Sequence, residues 1–133
     1  MQQLVKLGVV ISDANEYATS TIAGDSDVFY DGIIWYFDLF DMSSYNFYLT
    51  LLQFKYAGWF RYCKGVLIGR PAFPKVEDKK LDYIKAADKA LGKIPHIMEM
   101  DIGHTFPNFT LINGALCKVR YKDGKGDIAF ILK

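Results

Sequence analysis

The run GIIWYFDLF, Gly32 to Phe40, constrains the fold more than any other segment, because it is almost continuously apolar and aromatic. A half-buried strand alternates apolar and polar residues, so a run without that alternation reads as a strand covered on both faces. Asp38 interrupts it. Burying an unpaired carboxylate is costly, so Asp38 is expected at a strand end or among partners.

The segments around this strand alternate in type. LVKLGVVI, Leu4 to Ile11, reads as a strand ended by Ser12 and Asp13, and Asp13 to Ala23 as a short helix capped by one of those two and stopped at Gly24. GDSDVFYDG is an acidic loop. Beyond Ser43 and Ser44, either able to cap, residues 45 to 57 place Tyr45, Leu49, Leu52 and Tyr56 at helical spacing, and Gly58 closes that helix. KGVLIGRP, Lys64 to Pro71, is a strand followed by Gly and Pro, and a second helix runs from about Lys79 to Leu91 with Gly92 at its end. IPHIMEM is a strand, Gly103 to Asn108 a loop, Thr110 to Tyr121 strand-like, KDGKG a hairpin turn, and Asp127 to Leu132 its return strand. Strands separated by helices and followed by a hairpin predict one α/β domain over residues 1–133, a mixed sheet with flanking helices.

Composition excludes several functions. With 51% hydrophobic and 23% charged residues the chain is too apolar for disorder, and rich enough to expect an apolar face that meets a partner or joins two copies as a homodimer. Sixteen basic and fifteen acidic residues, scattered along the chain, argue against nucleic-acid binding. No apolar run approaches the roughly 18 residues that span a bilayer and no signal core opens the chain, so no membrane partner and a cytoplasmic location are expected. Cys63 and Cys117 lie far apart among apolar residues and read as buried free thiols.

Two histidines are the side chains that titrate near neutrality. His96 lies within a predicted strand, where a structural role is favoured. His104 follows Gly103 in a loop, where the glycine permits a sharp turn and leaves the imidazole free to act as a base. His96, Glu99, Asp101 and His104 fall within nine residues, but alternation along a strand should turn His96 and Glu99 to opposite faces, so no metal is expected. Asp41 reads as an acidic partner of the following helix N-terminus, and Ser43 and Ser44 as caps. No serine stands in a glycine-flanked elbow, and KDGKG lacks the helix N-terminus of a phosphate loop.

GHTFPNFTLINGA, from Gly103, together with GVLIGRP, the aromatic strand ending at Asp38, and GVVISDANE at residues 8 to 16, resembles the C-terminal domain of the serine LD-carboxypeptidases, in particular the microcin C self-immunity branch. The resemblance implies a layered β/β/α fold of the swivelling type, no cofactor, and a Ser-Glu-His triad whose serine lies in an N-terminal domain of the same protein. The histidine falls on His104, and the glutamate position on Asp38, one methylene shorter. Glu16 keeps the acidic position that ends the first motif, as a substrate-side contact or a helix-surface residue, while Ser12 and Asp13 replace a glycine pair. The implied substrate is a small peptide or a peptidyl nucleotide. With the nucleophile domain absent, the chain alone is expected to be inactive. It reads as a domain excised from a longer enzyme, the alternative being a non-catalytic remnant that acts as a binding or interaction domain.

Overall fold

The computed structural model describes residues 5–7 and 32–131. Its strands are β1 (Val5–Leu7), β2 (Ile33–Phe37), β3 (Cys63–Gly69), β4 (His96–Met100), β5 (Leu116–Lys122) and β6 (Lys125–Ile131). Two helices, α1 (Ser44–Tyr56) and α2 (Tyr83–Leu91), follow β2 and β3. One six-stranded sheet runs in the order β4-β3-β2-β1-β5-β6. The pairs from β1 to β4 are parallel, whereas β5 and β6 join as an antiparallel hairpin. The α/β class and the mixed sheet therefore stand. The helix expected over residues 13–23, the loop after it and most of the first strand lie outside the described residues.

The alternation hidden in the apolar run separates two cores. Ile33, Trp35 and Phe37 of β2, with Val66 and Ile68 of β3, face α1 and α2, meeting Phe47 and Leu51 on one helix and Ala86, Ala87 and Ala90 on the other. Ile34 and Leu67 face the opposite way, where Val119, Ile128 and Phe130 of the hairpin close over them with Ile102 and Cys117. Helices, parallel strands and hairpin thus form α, β and β layers. Each large buried apolar side chain contributes about 1.5–3 kcal/mol. Trp35, Trp59 and Phe54 form a continuous aromatic stack, with centroids 4.9 Å and 4.1 Å apart, and the Trp35 indole N–H donates to the Trp59 carbonyl at 3.0 Å.

Three boundaries differ from expectation. The strand expected over Gly32 to Phe40 ends at Phe37, and Phe40, with φ +42°, lies in the turn beyond it. In α1, Tyr45, Leu49 and Tyr56 are exposed, while Phe47 and Leu51 enter the core. The helix expected from Lys79 is a 3₁₀ turn at Lys79–Leu81 and a separate α2, because the Asp82 side chain accepts from the Lys85 N–H and starts a new helix there. The strand expected from Thr110 begins only at Leu116; residues 110–115 are loop. Ser43 caps α1 by accepting from the Asn46 N–H at 3.2 Å. Among the described residues no helix is long and apolar enough to cross a membrane.

Candidate functional site

Parallel strands end on the same side of a sheet, and loops leaving their carboxyl ends converge there. β2 and β4 flank β3, so the residues just past Phe37 and Met100 share one rim. Asp38 is the first residue after β2, and His104 is in the loop after β4.

Two glycines let that loop cross toward β2. A Cβ on Gly69, at the end of β3, would come 2.7 Å from the Ile102 carbonyl oxygen and 3.3 Å from that of Phe37. Gly103 has φ +86°, and a Cβ there would overlap the Asp38 carboxylate. Hydrogen bonds hold the loop's shape. Asn108 Nδ2 donates to the Gly103 carbonyl at 2.9 Å, the Phe109 N–H donates to the Asp101 carbonyl at 2.9 Å, and the Arg70 guanidinium binds Asp101 Oδ1 at 3.0 Å and 2.5 Å. Farther along, the Tyr36 hydroxyl donates to Asn113 Oδ1 and ties the segment back to β2. Burial raises the Tyr36 pKa, and the bond to Asn113 offsets part of that rise.

The loop brings the two predicted residues together. Asp38 Oδ2 meets His104 Nδ1, and Oδ1 accepts from the Phe40 N–H at 3.0 Å and the His104 N–H at 3.4 Å. The Asp38 side chain is 22% exposed and that of His104 63%. Among the described residues Nε2 of His104 has no hydrogen-bond partner, while Nδ1 faces the carboxylate. One side of the imidazole packs against Phe40, with ring centroids 4.5 Å apart. Phe106 stands 94% exposed two residues on.

The other candidates lie apart from this pair. His96 is held by Asp88 Oδ1 and the Ile94 carbonyl, both at 2.9 Å, a structural pinning of the α2–β4 connection. Asp41 is exposed and 4.0 Å from Lys75 Nζ. Strict alternation in β4 fails at Glu99, whose φ of +57° accompanies a register shift against β3 and turns Ile97 and Met100 toward the same core. Even so, among the described residues no three His, Cys, Asp or Glu side chains converge as a metal site. Cys63 and Cys117 are free, and burial pushes the Cys63 thiol up to about 11. A cavity of about 760 Å³ between β4 and the hairpin, lined by Glu99, Asp101, Phe109, Tyr121 and Phe130 among others, includes neither Asp38 nor His104. Glu16 lies outside the described residues.

The sequence by itself does not single out Phe40, Arg70 or Asn108. Arg70 and Asn108 stand in the GVLIGRP and GHTFPNFTLINGA motifs, which was the available signal; Phe40 had none, since its part depends on a backbone angle.

Comparison with known proteins agrees with this architecture. The muramoyltetrapeptide carboxypeptidase from Oxalobacter formigenes superposes with a TM-score of 0.71 at 18% identity, covering 98% of this chain and 46% of that one. The chain thus spans less than half of that protein's length, and the likeness is one of fold. No curated protein matches. The family described as the LD-carboxypeptidase C-terminal domain matches over residues 8–119. That match takes in both rim residues and most of the sequence: the chain belongs to the LD-carboxypeptidase C-terminal domain family.

Proposed function

We propose that this domain supplies the base and its orienting acid to a serine-type peptidase that cleaves small peptides, of the LD-carboxypeptidase or microcin-immunity kind. One observation carries the reading: Asp38 holds Nδ1 of His104, leaving Nε2 on an exposed imidazole without a partner among the described residues. A carboxylate at Nδ1 selects the tautomer with its proton there, which makes Nε2 the basic nitrogen. Nε2 takes the proton of a serine hydroxyl as that oxygen bonds the substrate carbonyl carbon, and returns it to the nitrogen of the departing amine. Asp38 stabilises the imidazolium between these transfers. The methylene missing relative to glutamate is compatible with this role, because Gly103 lets the loop approach the carboxylate.

The serine belongs to an N-terminal domain of the same cytoplasmic protein, and the substrate, a murein LD-peptide or a peptidyl nucleotide, binds between the two. Assays of the full-length protein on LD-tetrapeptides and aminoacyl nucleotides test this. His104→Ala is expected to lower kcat by on the order of 10⁶-fold. Equal turnover by the variant would refute the assignment and leave a binding domain.

A further inference from the structure

The Asp38–His104 pair is supported by a residue in a backbone conformation that its type rarely adopts. Leu39 to Met42 form a tight turn closed by the Met42 N–H donating to the Leu39 carbonyl at 2.7 Å. Its first central residue, Phe40, has φ +42°, and Asp41 is not in the left-handed region. Glycine ordinarily fills such a position, because a Cβ strains it. Strained residues persist where their surroundings hold them, and they concentrate at functional sites.

Phe40 touches both members of the pair. Its N–H donates to Asp38 Oδ1 at 3.0 Å, which turns the other carboxylate oxygen, Oδ2, toward His104. Its ring lies 4.5 Å from the imidazole. The strained residue is itself clamped: its carbonyl accepts from the Phe73 N–H at 3.0 Å, and Phe73 meets its ring edge-on at 5.7 Å and 84°. Phe40 is 42% exposed, so burying apolar area is a weak reason for phenylalanine here. We infer that Phe40 is a positioning residue, whose strained backbone aims the Asp38 carboxylate and whose ring fixes the plane of the His104 imidazole. This rests on the base-and-acid reading above.

The 133-residue chain provides the test, since it has only two histidines and each gives its own imidazole nitrogen signals. His96, pinned by Asp88 and Ile94, is the internal reference. Phe40→Gly is expected to melt within a few degrees of the parent, to lose the ring-current shift of His104 and, because without the ring and its contact with Phe73 the backbone at residue 40 is free to leave φ +42° and take its N–H off Asp38, to lose the preference for the Nδ1–H tautomer. Phe40→Tyr should retain both signatures. An unchanged His104 tautomer in Phe40→Gly overturns the inference, as does a large loss of stability with the tautomer intact, which would make Phe40 a packing residue. If Phe40→Gly does not fold, Phe40→Leu decides on the same readout: a lost preference supports the inference and a retained one overturns it. Asp38→Asn separates this from the reading beneath it. Should that variant keep the parent tautomer, the Asp38–His104 assignment fails; should it lose the preference while Phe40→Gly keeps it, only the role of Phe40 fails.

Discussion

Gly103→Ala puts a single methyl group where the Asp38 carboxylate now lies, and its consequences can be worked through. The new Cβ would overlap Oδ1 and the carboxyl carbon and come 2.9 Å from Asp38 Cβ. Most of this clash is with the far end of a rotatable side chain, so the carboxylate swings aside and the sheet stays intact. The remaining cost is the φ of +86° imposed on alanine, about 1–2 kcal/mol, or roughly 4–8 °C in Tm for a domain of this size. The effect on the site is larger. A displacement of about 1 Å can cost on the order of 10²-fold in rate, and complete loss of the carboxylate's hold on the imidazole about 10⁴-fold. Steady-state kinetics of the full-length protein, alongside thermal unfolding, should therefore show kcat falling 10²- to 10⁴-fold while the fold survives. A double-mutant cycle sharpens the test. If the methyl acts through Asp38, then adding Gly103→Ala to Asp38→Asn costs little more than Asp38→Asn alone. Full additivity, or a variant with parental kcat, would refute the reasoning.

Gly69→Ala should be the more damaging to stability, by about 2 kcal/mol or more, because its Cβ meets the Ile102 carbonyl oxygen at 2.7 Å and backbone cannot rotate away; chemical denaturation measures it. Ser44→Ala should be neutral or stabilising by about 0.5–1 kcal/mol, since among the described residues the buried Ser44 hydroxyl has no hydrogen-bond partner and alanine is the better helix former; a lower Tm would show that the hydroxyl is satisfied after all. Burial holds the Cys63 thiol protonated up to about 11, against an ordinary value of 9.0. The folded state thus keeps its proton longer than the unfolded chain, so this contribution to stability is complete below about pH 9 and disappears as pH rises toward about 11. A Cys63→Ala variant should show a shallower alkaline loss of stability, and an identical profile would rule the thiol out as its source.

What could be read from the sequence followed from periodicity and punctuation. The run Gly32 to Phe40 reads as a strand covered on both faces, and over Ile33 to Phe37 its alternation divides the helix-side and hairpin-side cores. Asp38 is conspicuous because a carboxylate interrupts that run, and His104 because a glycine precedes it in a recognisable motif. The buried face of α1 is not legible in the sequence. Tyr45, Leu49, Leu52 and Tyr56 satisfy helical spacing as well as Phe47 and Leu51 do, and a helix apolar around much of its circumference does not declare its buried side. Long-range pairings such as Arg70 with Asp101 or Tyr36 with Asn113 leave no local pattern. Phe40 is invisible for the opposite reason, since local preference argues against the conformation it adopts.

The place of β1 has a bearing on synthesis. Val5 to Leu7 pair in parallel with β2 on one side and antiparallel with β5 on the other, although β5 begins only at Leu116. Ribosomes deliver roughly 5–20 residues per second, so β1 waits several seconds or more with one edge unfilled. During that interval α1 and α2 can already cover their face of β2 and β3, while the opposite face lacks the hairpin. The nascent chain is thus most vulnerable to association along Ile34, Leu67 and the open side of β1, and a chaperone that shields extended apolar segments would act there.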